Sequence, residues 1–180
     1  MKLIVLDRDG VINFDSAHYI KNPNEWIAIP GSLEAIALLN QNGYRVAVAT
    51  NQSGISRGIY DVATLNAIHD KMFQALSKLG GRIDALFYCP HANEDQCQCR
   101  KPKPGMMREI GQRFGVDMKG VPVVGDALRD LQAGDAIGMQ SILVRTGKGE
   151  ETIAAGGLPA NTLIFDDLAA AVQHFIAGAA

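Results

Sequence analysis

The stretch Leu3-Ile4-Val5-Leu6-Asp7-Arg8-Asp9-Gly10 decides the fold of this chain. Four apolar residues followed at once by an acid indicate a short buried strand whose carboxyl end lies at Asp7. Comparable apolar runs lie further along the chain, at 45–49, 85–88, 121–124, 141–144 and 163–165. Amphipathic or capped helical segments lie between them, at 32–40, 61–79, 105–114, 130–136 and 167–176. Strands that alternate with helices predict an α/β fold with a doubly wound, mostly parallel sheet.

Length and composition indicate one globular domain. The chain has 180 residues and a formal net charge of −2, so we expect a single domain over 1–180 and no nucleic-acid partner. No apolar run approaches the ~20 residues of a membrane span. The N-terminal apolar stretch is too short for a signal peptide because Asp7 interrupts it. We therefore expect a cytoplasmic protein without a membrane partner, and a monomer because no helical seam or sticky edge stands out.

Acidic and hydroxyl side chains follow the predicted strands, at the edge where parallel sheets bind ligands. Asp7 and Asp9 follow the first strand, Thr50 the second and Asp126 the fourth. Two carboxylates as close as the first pair repel each other unless a cation or a proton offsets their charge. A lone acid here would be typical of a helix cap. Several acids at one edge instead predict a site for Mg²⁺, which prefers oxygen ligands.

Two further segments have the composition of phosphate-binding loops. Thr50-Asn51-Gln52-Ser53-Gly54 places hydroxyls, amides and backbone N–H groups at a strand-to-helix turn. Arg100-Lys101-Pro102-Lys103-Pro104-Gly105 adds positive charge in a stiff loop before a helix. Either segment alone is also typical of an ordinary turn or a solvated loop. Together with the acids, they favour phosphate chemistry.

All three cysteines lie in one cluster with a histidine, in Cys89-Pro90-His91 and Cys97-Gln98-Cys99. Three thiolates and an imidazole complete a tetrahedral zinc shell and leave no position for a substrate. We therefore predict a structural zinc site in the loop at about 89–99, rather than free thiols. Zinc would hold the loop still and aim Arg100 and Lys101, which follow the last ligand. A zinc-knuckle binding module is disfavoured because the ligands occupy a small part of the chain.

Four motifs, in order, resemble those of the haloacid dehalogenase superfamily, whose members are mostly phosphohydrolases. They are Asp7-x-Asp9-Gly10, Thr50 after a strand, a lysine before a helix, and Gly125-Asp126-x-x-x-Asp130. The resemblance implies a Rossmann-like sheet and a magnesium-dependent phosphoryl transfer through an aspartyl-phosphate. It implies that Asp7 is the nucleophile and that Asp9 is the general acid and base. The Asp7 and Asp126 carboxylates and the Asp9 backbone carbonyl would ligate Mg²⁺.

The same resemblance assigns the groups that would hold the transferring phosphoryl group. Thr50 and Lys101 would bind its oxygens and offset their charge in the transition state. Lys103 competes with Lys101 for this role. We favour Lys101 because it directly follows an arginine, as the lysine does in a narrower family that the chain resembles. Asp130 is expected to support the metal site or to orient the lysine.

A longer set of segments looks like the D-glycero-D-manno-heptose-1,7-bisphosphate 7-phosphatases. These segments are Leu6 to Asn13, Tyr19-Ile20-Lys21, Glu25-Trp26, Thr50 to Ile55, Cys-Pro-His and Cys-x-Cys-Arg-Lys-Pro. The resemblance runs to about Ile176 and implies hydrolysis of a heptose 7-phosphate in lipopolysaccharide precursor synthesis. One departure is the short zinc loop, with five residues between His91 and Cys97.

Two other functions stay open at this stage. Histidinol-phosphate phosphatases share most of these motifs. A phospho-accepting receiver domain also phosphorylates an aspartate, although it needs no second acid such as Asp9 to discharge its phosphate quickly.

The substrate site is expected to be open, because no insertion between the motifs is large enough for a cap domain. Polar residues near the acids are candidates for contacts with sugar hydroxyls: Asn13, Asp15, His18, Asn51, Gln52 and Ser53. Arg57 and Arg100 are candidates for binding a second phosphate, since a guanidinium can engage phosphate through two hydrogen bonds. We expect Trp26 to pack in the interior and His69 to lie on the surface of a helix.

Overall fold

A computed structural model describes residues 1–178, so the last two residues of the expected domain 1–180 lie outside the described residues. The strands are β1 (Lys2–Leu6), β2 (Tyr44–Asn51), β3 (Ala85–Cys89), β4 (Pro122–Gly125), β5 (Gln140–Val144) and β6 (Leu163–Phe165). The helices are α1 (Ser32–Gln41), α2 (Val62–Ser77), α3 (Gly105–Phe114), α4 (Leu128–Asp135), α5 (Gly149–Ala155) and α6 (Leu168–Ala177). Short 3₁₀ turns lie at Pro23–Glu25 and Asn93–Asp95.

The strands form one sheet in the order β3-β2-β1-β4-β5-β6, and every neighbouring pair is parallel. The predicted doubly wound α/β fold is therefore confirmed. Two local predictions differ. Helix α4 begins at Leu128, earlier than the predicted 130–136, and α5 was not predicted. Helix α5 has only seven residues and follows glycines, so its apolar pattern is too short to stand out.

Strand β1 is central to both hydrophobic cores. Ile4 and Leu6 belong to the core that includes residues of α1, α2 and α6, whereas Leu3 and Val5 belong to the core that includes residues of α3. Successive side chains of a strand point to opposite faces, so this continuous apolar run buries both faces of the sheet. Trp26 packs in the first core and is 3% exposed, which confirms its predicted packing role.

The order of the strands creates a topological switch point beside β1. The chain passes from β1 to β2 and β3 on one side, and then crosses to β4 and β5 on the other. Ligands of such sheets bind at this point, beyond the carboxyl ends of the strands. The Asp7 N–H donates to the Val124 carbonyl at 2.9 Å, so the ends of β1 and β4 are held side by side.

The described residues contain no large cap domain: the connection between β1 and α1 holds only a 3₁₀ turn and isolated bridges. Among the same residues, no helix is both long enough and apolar enough to cross a membrane.

Candidate active site

Acidic side chains from the ends of β1 and β4 and from α4 meet beneath one cleft. Carboxylate oxygens of Asp7, Asp126 and Asp130 lie within 4.8 Å of one another, and all three residues are buried. Burial and the Asp130 carboxylate raise the pKa of Asp7 well above its usual range. The same two causes raise the pKa of Asp126 to about 7. The cluster therefore favours either protons or a bound cation.

The donor set fits Mg²⁺, which takes carboxylate, carbonyl and water oxygens. Two glycines also leave space beside the Asp126 carboxylate. A Cβ on either Gly10 or Gly147 would overlap Asp126 Oδ2, and both residues have positive φ values, +83° and +57°. The Lys148 N–H donates to the same Oδ2 at 2.8 Å, which fixes the carboxylate in place. Asp7 and Asp126 are thus the side chains that could hold the ion, as the sequence predicted.

Lys101 is buried among these acids. Its Nζ lies 3.0 Å from Asp7 Oδ1 and 2.7 Å from Asp130 Oδ1, and it donates to the Ala49 carbonyl at 2.8 Å. Burial opposes the charge of this ammonium, but the Asp130 and Asp7 carboxylates outweigh that effect and raise the pKa of Lys101. The competing Lys103 is exposed and donates to the Cys97 carbonyl at 2.6 Å. The geometry therefore favours Lys101 for the phosphoryl-binding role.

The Asn51 side chain holds the backbone of Lys101 in position. Asn51 Nδ2 donates to the Lys101 carbonyl at 3.1 Å, and the Lys101 N–H donates back to Asn51 Oδ1 at 3.1 Å. Asn51 is the last residue of β2. These two bonds anchor the lysine loop directly to the sheet.

Asp9 lies in a cage of hydrogen-bond donors. Its Oδ1 accepts from Arg8 Nε at 3.0 Å, from Arg8 Nη2 at 2.8 Å and from Asn13 Nδ2 at 2.9 Å. Its Oδ2 accepts from Gln52 Nε2 at 3.1 Å. Burial opposes ionisation, but the Arg8 guanidinium and these hydrogen bonds hold the pKa of Asp9 below its usual range. The more heavily bonded Oδ1 orients the group, and Oδ2 is left to exchange a proton.

His69 supports this cage from α2, so the prediction that it lies on the surface was wrong. It is 4% exposed, and its Nε2 accepts from Arg8 Nη1 at 3.0 Å. Burial and the neighbouring guanidinium lower the pKa of His69 to about 3. The imidazole is therefore neutral, which lets it accept from Arg8. Arg8 stands between two acids in the sequence, but only the structure shows that it is buried and therefore needs such a partner.

The side chains of Thr50 and Gln52 are hydrogen-bonded to each other at the end of β2. Gln52 Nε2 donates to Thr50 Oγ1 at 2.9 Å, and Tyr60 OH donates to Gln52 Oε1 at 2.5 Å. The Thr50 hydroxyl accepts from this amide, so its own hydrogen is free to point at a ligand. Thr50 also lines the cleft, together with Asp7 and Asp9.

The cysteines and histidine converge as the sequence predicted. Cys89 Sγ lies 3.6 Å from Cys97 Sγ and 3.1 Å from Cys99 Sγ, and His91 Nδ1 lies 3.3 Å from Cys99 Sγ. Sulfur ligands of a tetrahedral zinc ion are ~3.8 Å apart, given a Zn–S bond of ~2.3 Å. The cluster therefore has ligand types and spacing that fit Zn²⁺. It lies next to Arg100 and Lys101 in the chain.

The cleft above the acids has a volume of about 240 Å³. Its lining includes five of the predicted substrate-binding residues, namely Asp15, Asn51, Gln52, Ser53 and Arg100.

The other three predicted substrate-binding residues lie outside this lining. Asn13 is fully buried, because its amide is used to hold Asp9. His18 is exposed. Arg57 is also exposed, and its Nη2 lies 3.7 Å from Glu94 Oε2.

Several lining residues were not predicted from the sequence to contact substrate. The most notable are Arg129 and Lys148, which follow β4 and β5, and Tyr19, which has a φ of +66°. Arg129 lies in the first turn of α4, but the sequence predicted that this helix begins only at 130, so the residue was not placed there. Lys148 could not be placed without knowing that its loop folds back over Asp126.

The chain matches known proteins over nearly its whole length. A model of the HAD-hydrolase-like family matches residues 98–171. A Bordetella bronchiseptica protein named D-glycero-beta-D-manno-heptose-1,7-bisphosphate 7-phosphatase is 57% identical over 176 residues, which cover 98% of each chain. A Pseudomonas aeruginosa protein of the same name is 56% identical over 174 residues, covering 97% of each.

Solved structures agree with the sequence matches. The crystal structure of D,D-heptose 1,7-bisphosphate phosphatase from B. bronchiseptica, complexed with magnesium and phosphate, superimposes with a TM-score of 0.98. It is 57% identical, and 99% of each chain is covered. The Burkholderia thailandensis enzyme of that name gives a TM-score of 0.79 at 55% identity, over 98% of this chain and 99% of the other.

Proposed function

The chain belongs to the D-glycero-D-manno-heptose-1,7-bisphosphate 7-phosphatase family of HAD-like hydrolases, and on that premise we propose that it is a phosphoric monoester hydrolase of the same substrate. The reaction is removal of the 7-phosphate from D-glycero-β-D-manno-heptose 1,7-bisphosphate. The β anomer is the one that the relatives' names specify. The product would serve the synthesis of heptose nucleotides for lipopolysaccharide.

The arrangement of Asp7 carries this proposal. Its carboxylate lines the cleft, and Asp9 lines the same cleft as a second acid. Asp7 Oδ1 accepts from the Arg8 N–H at 2.7 Å and lies 3.0 Å from Lys101 Nζ. We therefore assign Oδ2 to the attack on phosphorus, which forms an aspartyl-phosphate as the bond to the sugar oxygen breaks.

Asp9 handles the protons of both half-reactions. In the first, its Oδ2 gives a proton to the leaving sugar oxygen. The carboxyl takes up this proton when the substrate phosphate binds, because the added negative charge raises the pKa of Asp9 from its lowered level in the free site. In the second, it takes a proton from the water that hydrolyses the aspartyl-phosphate. The Gln52 amide, which donates to this Oδ2 at 3.1 Å, keeps the carboxyl aimed into the cleft.

Lys101 and the Thr50 hydroxyl supply positive charge and a hydrogen bond to the phosphoryl oxygens, where charge accumulates in the transition state. Mg²⁺, when held by Asp7, Asp126 and the Asp9 carbonyl, offsets the charge of the acids and of the phosphoryl group. Zn²⁺ held by the cysteine–histidine cluster would have a structural role and would keep the Lys101 loop in place. The single domain, the monomeric state and the cytoplasmic location stay predictions.

A substrate panel with Mg²⁺ tests the function. The panel contains both anomers of heptose 1,7-bisphosphate and histidinol phosphate. We expect kcat/KM for the β bisphosphate to exceed that for the α anomer and, by at least about tenfold, that for histidinol phosphate. Faster turnover of histidinol phosphate would assign the chain to that activity. A long-lived aspartyl-phosphate without turnover would indicate a receiver domain.

A further inference from the structure

The side-chain amide of Gln52 has two possible orientations, and the proposed reaction needs only one of them. We propose that Tyr60 is a positioning residue that fixes this orientation, so that Asp9 always faces an N–H group and its acid proton stays available to the leaving oxygen. The proposal rests on the proposed function, because it concerns the step in which Asp9 protonates the sugar oxygen.

Gln52 is buried, and the two ends of its amide have different partners. Its Nε2 donates to Asp9 Oδ2 at 3.1 Å and to Thr50 Oγ1 at 2.9 Å, so both amide hydrogens are used. Its Oε1 accepts from Tyr60 OH at 2.5 Å. Tyr60 therefore binds the oxygen end of the amide, whereas the two residues at the cleft bind the nitrogen end.

Tyr60 can hold the oxygen end because its hydroxyl keeps its hydrogen. The side chain is buried, and this burial raises the pKa of Tyr60 to about 12. Among the described residues, Gln52 is the only hydrogen-bond partner of the hydroxyl. An inverted amide would turn N–H groups toward the hydroxyl and leave its hydrogen without an acceptor, which is costly for a buried group.

The backbone on either side of Tyr60 is held, so its hydroxyl has a fixed position. The Ile59 N–H donates to the Gly54 carbonyl at 2.8 Å. On the other side, Asp61 caps the start of α2, where its Oδ1 accepts from the Thr64 N–H at 2.8 Å. The ring occupies space that Gly54 leaves open, since a Cβ on that glycine would overlap the ring and lie 2.9 Å from Tyr60 OH.

This constraint matters when Asp9 carries the proton for the leaving oxygen. While Asp9 is ionised, its charge by itself favours the N–H end of the amide. A protonated carboxyl is a donor, so an inverted amide would accept its hydrogen through Oε1 and hold it away from the substrate. The Thr50 hydroxyl would also turn its hydrogen to that oxygen. The bond from Tyr60 makes the inverted amide unfavourable in both states of Asp9.

Removal of the Tyr60 hydroxyl should give a loss of activity that depends on the leaving group. A general acid contributes most when the leaving group is a poor one such as a sugar alkoxide, and least for p-nitrophenolate. Tyr60→Phe should therefore lower kcat/KM for heptose 1,7-bisphosphate by about ten- to thirtyfold, and that for p-nitrophenyl phosphate by less than about threefold. The KM for the bisphosphate should change less than about twofold, because Tyr60 does not line the cleft.

A double-mutant cycle tests whether Tyr60 acts through Gln52. Gln52→Ala removes the amide that Tyr60 orients, and should by itself lower kcat/KM for the bisphosphate at least as much as Tyr60→Phe does. Adding Tyr60→Phe to this variant should then change kcat/KM less than about twofold. A second loss as large as the first would show that Tyr60 acts by another route, and would overturn the proposal.

Tyr44→Phe is the matched control, because it removes a hydroxyl at the opposite end of β2 from Thr50. It should leave kcat/KM for both esters within about twofold of the wild type. Thermal unfolding checks that Tyr60→Phe is folded at the assay temperature. Equal losses for the two esters, or unchanged kinetics in Tyr60→Phe, would overturn the proposal. Failure of the wild type to hydrolyse the bisphosphate would instead contradict the proposed function.

Discussion

The Lys101 ammonium lies 3.0 Å from Asp7 Oδ1, and both side chains are almost fully buried. The two residues are far apart in the chain: Asp7 follows β1, and Lys101 follows the last cysteine of the zinc loop. Asp130 Oδ1, at 2.7 Å from the same Nζ, completes the contact. This contact puts the lysine charge beside the nucleophile, where a phosphoryl group would be transferred.

Replacing Lys101 tests which lysine acts on the phosphoryl group. Lys101→Met should lower kcat/KM by about 10³-fold, because a buried cation at the developing charge is lost. Lys103→Met is the matched control and should lower it less than about threefold, since Lys103 is exposed and contacts the Cys97 carbonyl. Steady-state kinetics measure both. Thermal unfolding checks that each variant is folded at the assay temperature. The opposite ranking would transfer the role to Lys103.

Removing the nucleophile should separate chemistry from metal content. Asp7→Asn keeps the shape of the side chain but should abolish turnover, by at least about 10³-fold, because an amide cannot form the aspartyl-phosphate. Zinc bound per chain, measured by atomic absorption, should not change, since Asp7 lies outside the cysteine–histidine cluster. Normal residual activity would refute the nucleophile assignment.

Loss of zinc should reduce activity through the lysine loop. Cys97→Ser should lower zinc content and lower kcat by about 10- to 100-fold, because the backbone of Lys101 then loses the support of the zinc loop and keeps its hydrogen bonds to Asn51. Amide hydrogen exchange of residues 92–103 should become faster in the same variant. Full activity in a zinc-free protein would show that the Asn51 contacts are sufficient.

Gly10 should be sensitive to a single added methyl group. Gly10→Ala would push a Cβ into Asp126 Oδ2, so we expect both Mg²⁺ affinity and activity to fall about tenfold or more. Gly43→Ala is the control, because its φ of +81° matches the +83° of Gly10 but nothing lies within 4 Å of its Cβ. Both variants should lose ~1–2 kcal/mol of stability from the left-handed backbone. If Gly43→Ala lost as much activity, strain rather than the clash would be the cause.

His69 should make folding stability depend on pH. Its pKa is about 3 in the folded protein, against an ordinary value of 6.5. Between these two values the unfolded chain binds more protons than the folded one, so stability must fall as the pH falls from 6.5 toward 3. His69→Gln should remove this part of the dependence, about 1–3 kcal/mol by pH 4.5. Urea unfolding of both proteins at several pH values measures it. Parallel stability profiles for the two proteins would contradict a neutral buried imidazole.

The sheet and the acids were predictable because their signals are local. An apolar run ending in an acid identifies a buried strand and its carboxyl end, and parallel strands bring such ends together. Asp7, Thr50 and Asp126 were placed correctly at one edge on this basis. The cysteine–histidine cluster was equally predictable from the sequence, since two short segments contain all of its potential zinc ligands.

Contacts between segments that are distant in the chain could not be predicted from such local patterns. His69 looks like a surface residue of an amphipathic helix, and only packing shows that it meets Arg8. Asn13 has the chemistry of a sugar contact, but its amide is used to hold Asp9. The chemistry of a side chain determines which partners it can bind, whereas the residues packed around it determine which of these it contacts.

The order of residues along the chain therefore specifies the strands, the acids beyond them and the metal ligands, because each follows from short-range pattern and composition. Tertiary structure alone decides that Lys101 reaches Asp7, that Asn51 anchors it, and that Arg129 lines the cleft with a free donor. The physical reason is burial. The buried hydrogen bonds and ion pairs between these distant segments form because packing of the two cores excludes water and limits the partners that each polar group can reach.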